Sequence, residues 1–293
     1  MKEDIFSPKK GFAQKLEYFW ENDSKIIFDP IIMGILNVTP DSFSDGGQYF
    51  SVQAAVQHAQ RLMAEGADII DIGGESTRPQ AAPVSAEEEL ERILPVVRIL
   101  RDKNIPVSVD TSQAEVMNAV IPLGVELIND VRSFHLPGAL ASIQKSNHAI
   151  CIMHMRGTPV DMQNAPTYKN VVAEVCESLA KRVAELCHAG IDAKRIILDP
   201  GFGFGKTVQH NYELLANLKK VALNRFPVLA GLSRKSMLTA ITAQREPKER
   251  VAASIAAAFM AVDRGAAILR VHDVAATVDA LAIRRATLKA EFK

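Results

Sequence analysis

Ile31-Ile-Met-Gly-Ile-Leu-Asn-Val-Thr-Pro-Asp-Ser-Phe-Ser-Asp-Gly-Gly47 divides sharply at Asn37. Ile31 to Leu36 is apolar on both alternating sets, the pattern of a strand buried on both faces in a parallel sheet. From Thr39 the residues are those of turns and loops, with only Phe43 apolar among them. A buried strand therefore runs into a polar, Gly-rich loop, with an amide side chain at the junction.

The same arrangement recurs along the chain. Short apolar strands are predicted at 68–72, 106–109, 126–128, 149–153, 195–198, 228–230 and 267–269. Helical patterns separate them. One runs from Val52 to a C-terminal Gly66, and one from a Ser85–Glu88 capping box to Lys103. Further helices are expected over 170–188, 208–222 and 250–264, and from Val274 onward. About eight strand–helix units fit a single (β/α)8 TIM barrel, an α/β fold, better than an open doubly wound sheet. Polar residues follow every strand, whereas an open sheet concentrates them beside one switch point. The barrel domain is expected over 31–293. Residues 1–30 read as an N-terminal extension, with a short helix near 12–20, a strand near 25–28 and no assigned chemistry.

Bulk composition narrows the function. Thirty-four basic residues balance 34 acidic ones, so neither nucleic acid nor a membrane surface is an expected partner. The N-terminus has no signal-peptide pattern, and no apolar run approaches the roughly 18 residues that span a bilayer. Cys151, Cys176 and Cys187 lack metal spacing and read as free thiols of a cytoplasmic protein.

In a barrel, residues following the strands share the C-terminal rim, where barrel enzymes place their sites. Here that set is Asn37, Thr77/Arg78, Asp110, Asn129, Met153, Asp199, Lys235, Arg270 and His272. Carboxylates and amides suit a flat heterocycle with several N–H donors, such as a pterin or purine. The cations suit a phosphorylated group. Taken singly, each residue has a plainer reading. Asp110-Thr-Ser could cap a helix, Asn129-Asp130 and Asp199 could be turns, and an isolated Arg78 or Arg234 would be solvated. Joint placement on one rim favours function. Gly205-Lys206-Thr207 mimics the end of a P-loop, but that motif needs Gly where Pro200 stands, so no ATPase is read. The glycines at 201, 203 and 205 instead allow close backbone approach to a flat ligand, with Phe204 as a wall.

Five blocks then resemble the bacterial dihydropteroate synthases. They are Asn37-Val-Thr-Pro-Asp-Ser-Phe-Ser-Asp-Gly-Gly47, Gly74-Glu-Ser-Thr-Arg-Pro79, Asp199-Pro-Gly-Phe-Gly-Phe-Gly-Lys206, Ser233-Arg-Lys-Ser236 and Arg270-Val-His-Asp-Val274. The resemblance runs from about Ile31 to the end. It implies a homodimeric barrel and a transferase of folate biosynthesis. That enzyme joins 6-hydroxymethyl-7,8-dihydropterin diphosphate to 4-aminobenzoate, releasing pyrophosphate, and is the target of sulfonamides. Carried onto this chain, Asp110, Asn129, Asp199 and Lys235 hold the pterin, with Met153 beside it. Asn37, Arg78, Arg270 and His272 face the diphosphate and its Mg2+, Asn37 as the metal ligand. Thr77, Pro79, Phe43, Phe204 and Ser236 shape the aminobenzoate pocket. Asp199, Lys235, Arg270 and His272 form the implied catalytic set. Loops 39–47 and 74–83 are expected to close over the site. Two rivals are a pterin-binding methyltransferase domain and a non-catalytic pterin-binding homologue. The first does not need the Ser233–Ser236 block, and the second predicts damage among Asn37, Arg78, Arg270 and His272.

Overall fold

The structure, a computed structural model, describes residues 11–21, 29–38, 47–75, 84–157, 166–242 and 246–291. Eight parallel strands close into a barrel in chain order. They are β1 (Ile31–Asn37), β2 (Ile69–Gly73), β3 (Val107–Asp110), β4 (Leu127–Asp130), β5 (Ala149–Met153), β6 (Ile196–Asp199), β7 (Val228–Ala230) and β8 (Ala266–Val271). Parallel pairing of β1 with β8, Met33 opposite Arg270, closes the ring. Each expected strand but one is found; the exception, near 25–28, lies outside the described residues.

Helices between the strands form the outer layer: α2 (Gly47–Ala64), α3 (Ala86–Asp102), α4 (Ala114–Val120), α5 (Ala139–Gln144) and α6 (Val171–His188), followed by α7 (Val208–Ala216), α8 (Leu218–Val221), α9 (Ser236–Thr239), α10 (Val251–Asp263) and α11 (Val274–Glu291). Two differ from expectation in detail. The continuous helix over 208–222 is broken at Asn217, whose side chain bonds back to the Glu213 carbonyl at 2.9 Å. At α3, Ser85 accepts from the Glu88 N–H at 3.2 Å, but the Glu88 carboxylate pairs with Arg92 instead of closing the expected box.

Strand alternation sorts the side chains into two apolar clusters. Outward residues such as Ile70, Ile72, Val107, Val109, Ile128 and Ile150 pack with the helices. Inward residues at the strand beginnings, including Met33, Ile69, Leu127, Cys151, Ile197 and Ile268, fill the barrel floor. The helix of the extension, α1 (Phe12–Glu21), plugs that floor. Phe12 and Leu16 are buried in the inner cluster, and Lys15 donates to Asp68 at 2.9 Å. Asp68 also accepts from the Ile32 N–H at 2.8 Å, tying the plug to β1. The barrel is thus sealed at one end with hydrocarbon and is polar at the other. Among the described residues, no helix is long and apolar enough to cross a membrane, and all three cysteines are free.

Candidate active site

The inward side chains change character one layer above the floor. On β2 the inward sequence is Ile69, Asp71, Gly73; on β3 it is Ser108, Asp110; on β4, Leu127, Asn129. Asp110 lies in register with Gly73 on one side and Asn129 on the other. Asp199 lies in register with Met153. The β-sheet therefore delivers these groups to one rim.

Arg270 reaches across the barrel and divides its guanidinium between two carboxylates. Its Nε donates to Asp71 Oδ2 at 2.6 Å and its Nη2 to Asp110 Oδ2 at 2.8 Å. Asp71 is fully buried and also accepts from Ser108 Oγ at 2.5 Å and from Asn129 Nδ2 at 3.5 Å. One buried acid thus orients three of its neighbours, two of them candidate ligands. Asp71 was passed over in the sequence because the stretch 68–72 reads as an apolar strand. The available signal was a charge inside a run buried on both faces, which must be paired.

Burial pushes the Asp110 carboxyl up, with Arg270 pulling the other way and Asp71 adding to the rise. Asp199 is raised by burial against the attraction of Lys235. Lys235 is lowered to about 8 by burial, again opposed by Asp199. Each of these two groups thus feels the other's charge in a partly dehydrated site. Asp199 Oδ1 also accepts from the Gly201 N–H at 2.7 Å. Lys235 Nζ donates to the Phe202 carbonyl and lies 4.9 Å from the centre of the Phe204 ring. Met153 is buried, and its backbone N–H and carbonyl both bond Ser133 Oγ, at 2.9 and 2.8 Å. Ser133 was another residue the sequence did not mark.

On the β7–β8 side, His272 Nδ1 lies 3.0 Å from Ser233 Oγ. Arg234, expected to be solvated if isolated, is instead held by both oxygens of Asp273, at 3.1 and 2.6 Å. Its backbone is left-handed, with φ 59°, and Ser254 and Arg250 bond its N–H and carbonyl. Ser236 is exposed at the first turn of α9, and Asn37 is exposed at the end of β1. Asp130 is a local organiser: it accepts from Ser112 Oγ and from the N–H groups of Arg132 and Phe134. Phe43, Thr77, Arg78 and Pro79 lie outside the described residues, as do most of the two loops expected to close. The root of the second loop is described: Arg132 holds Glu75 bidentately at 3.0 and 3.1 Å, and Arg92 holds the Gly74 carbonyl at 2.7 Å.

Residues 33–272 match the family described as pterin binding enzyme. A dihydropteroate synthase of Haemophilus influenzae is 52% identical over 262 residues, covering 89% of this chain and 95% of that one. The chain belongs to the dihydropteroate synthases. Solved structures of the family agree with the barrel. The Burkholderia cenocepacia dihydropteroate synthase complexed with 7,8-dihydropteroate superposes with a TM-score of 0.82 at 50% identity, covering 90% of this chain and 93% of that one. The Yersinia pestis dihydropteroate synthase in a sulfonamide drug complex gives 0.84 at 47% identity, covering 89% and 94%. The expected (β/α)8 fold and the family resemblance are therefore both established.

Proposed function

We propose that this chain condenses 6-hydroxymethyl-7,8-dihydropterin diphosphate with 4-aminobenzoate to give 7,8-dihydropteroate and pyrophosphate. The observation that carries the residue assignment is the rim network in which Arg270 joins Asp71 and Asp110, on the same end of the barrel as Asp199 at the end of β6. Acceptors on Asp110, Asn129 and Asp199 match the N–H edge of a pterin, and Lys235 supplies a donor for its ring acceptors. Met153 packs against the ring.

The aryl amine is neutral and weakly basic, so little general-base help is needed. The C–O bond to the diphosphate breaks, positive charge develops on the pterin methylene and spreads into the ring, and the amine nitrogen bonds that carbon. The amine proton then leaves to water. Asp199 stabilises the cationic ring, while Arg270, His272 and Arg78 stabilise the departing anion. Ser233 supports the His272 imidazole in this role. Phe204 and Ser236, with Phe43, Thr77 and Pro79, would frame the aminobenzoate and the sulfonamides that imitate it.

Magnesium fits this rim in one form only. Among the described residues no group of three or more His, Cys, Asp or Glu side chains could hold a metal, and Asn37 offers a single amide oxygen. Mg2+ characteristically keeps several waters and takes few protein ligands beside phosphate oxygens, so it would arrive with the diphosphate and take Asn37 as its protein ligand. When bound it would neutralise charge on the leaving group.

The barrel domain is assigned to 31–293, with α1 as its N-terminal plug. A homodimer through the last helices is the arrangement the family resemblance implies; Met260 on α10 and Ile283 on α11 are exposed apolar side chains in those helices. The free cysteines support a cytoplasmic setting. The test of function is pyrophosphate release. Release that requires both substrates supports the assignment; none with both present excludes it.

A further inference from the structure

The Gly205-Lys206-Thr207 stretch, rejected as a nucleotide loop on spacing, is built for a different task. Lys206 is only 3% exposed, and its Nζ turns inward. It donates to the carbonyls of His154 at 3.1 Å, Gly201 at 2.9 Å and Phe204 at 2.9 Å, and lies 3.0 Å from His154 Nδ1. An ammonium has N–H donors and no acceptor, so these four partners surround it as they would a bound cation. The backbone is shaped for the purpose. Gly201 and Gly205 have φ of +67° and +61°, and a Cβ at either would run into the carbonyl oxygen of His154 or Arg156.

The two ends of the loop that touch substrate in the reading above are set by this cage. The Phe202 carbonyl, which receives the Lys235 ammonium, stands between the gathered carbonyls of Gly201 and Phe204. The Phe204 ring lies under that same ammonium. The His154 N–H donates to the Asp199 carbonyl at 3.0 Å, so the cage also touches the strand end that carries Asp199.

We propose that Lys206 is a positioning residue, an internal cation that gathers the carbonyls of the β6–α7 loop and so holds Phe204 and Lys235 against bound substrate. The proposal rests on the assignment of Phe204 and Lys235 to the two substrates. Burial draws the Lys206 amine down to about 7, with Asp199 opposing the fall and Lys235 and Arg156 adding to it; the geometry of its carbonyl partners is what places it as a staple. Loss of the charge leaves three carbonyls turned inward without a donor, and the loop relaxes.

Lys206→Met keeps the stem and removes the charge; Lys206→Ala leaves a space that propylammonium can fill. In steady-state assays of pyrophosphate release, Lys206→Met is expected to raise the KM for 4-aminobenzoate roughly tenfold or more and to lower kcat. Propylammonium is expected to restore Lys206→Ala in part, tetramethylammonium not at all, and neither to restore Lys206→Met. A role in stability alone would reduce the active fraction, lowering kcat with both KM values unchanged, and that result overturns the proposal. So does a Lys206→Met enzyme equal to the wild type. If the wild type itself shows no turnover with both substrates, the function reading fails separately. Amide exchange over 201–206 then still decides the proposal: faster exchange in Lys206→Met supports it, and unchanged exchange overturns it.

Discussion

Asp199 shows how much one hydrogen-bond polarity can matter in this site. As a carboxylate it only accepts, and the Gly201 N–H already holds one of its oxygens at 2.7 Å. Asp199→Asn turns part of that edge into a donor facing the donors of a pterin. Pterin diphosphate affinity, measured calorimetrically, should fall by about 1.5–3 kcal/mol; unchanged affinity removes Asp199 from the site. Asp71 acts at one remove. Replacing it with Asn sets an amide N–H near Arg270 Nε and leaves the arginine bound to Asp110 alone. Breaking a buried pair of this kind costs on the order of 3–5 kcal/mol of stability. The informative measurement is turnover in the fraction that remains folded, and kcat/KM for the pterin diphosphate should drop at least about tenfold. If the folded fraction turns over normally, Arg270 does not depend on Asp71 for its aim.

At the scale of elements, α3 carries a feature that ties stability to pH. Glu89 is 1% exposed and packs under Gly74 at the root of the β2–α3 loop, with the Thr111 hydroxyl as its polar neighbour and no ion pair among the described residues. Burial raises its pKa to about 7; Glu75 adds to the rise, and Thr111, Arg132 and Arg92 oppose it. The folded state therefore keeps a proton that the unfolded chain has lost. The stability this group contributes is full below its ordinary value near 4.5 and is lost as pH rises to about 7. Glu89→Gln cannot ionise, so its stability relative to wild type should improve with rising pH. The gain by pH 8 should be on the order of 3 kcal/mol against pH 4. Urea unfolding at both pH values measures it, and a difference that stays constant with pH would show that Glu89 titrates normally.

The whole molecule is a barrel with two unlike ends, and its extension belongs to the closed one. Phe12 is 3% exposed against the floor formed by residues such as Met33 and Ile69. Phe12→Ala should cost about 3–5 kcal/mol of stability. Its effect on both KM values should be negligible, because the candidate site lies at the opposite rim. Thermal unfolding and steady-state kinetics on the same preparation test both halves, and a changed KM would mean that the floor and the rim are coupled.

Much of this was legible in the chain. Val228–Ala230 and Ala149–Met153 were readable as strands because buried parallel strands are short unbroken apolar runs between turn residues. The rim residues Asp110, Asn129, Asp199, Lys235 and Arg270 were readable because a barrel puts whatever follows each strand on one side. Contacts that depend on groups distant in sequence were not readable. Asp71 meets Arg270 across 199 positions; a charge inside a doubly buried run must be paired, but nothing local to 68–72 says with which residue. Likewise the spacing around Pro200 excluded a phosphate loop at Lys206 but assigned the lysine no other task; only its burial among carbonyls of the loops after β5 and β6 showed an internal staple. Sequence patterning fixes local structure and side-chain direction, because these follow from periodicities of two and 3.6 residues. Which buried charges share a partner, and which amine faces inward, is set by closure of the barrel, because desolvation and Coulomb attraction act across space without regard to order along the chain.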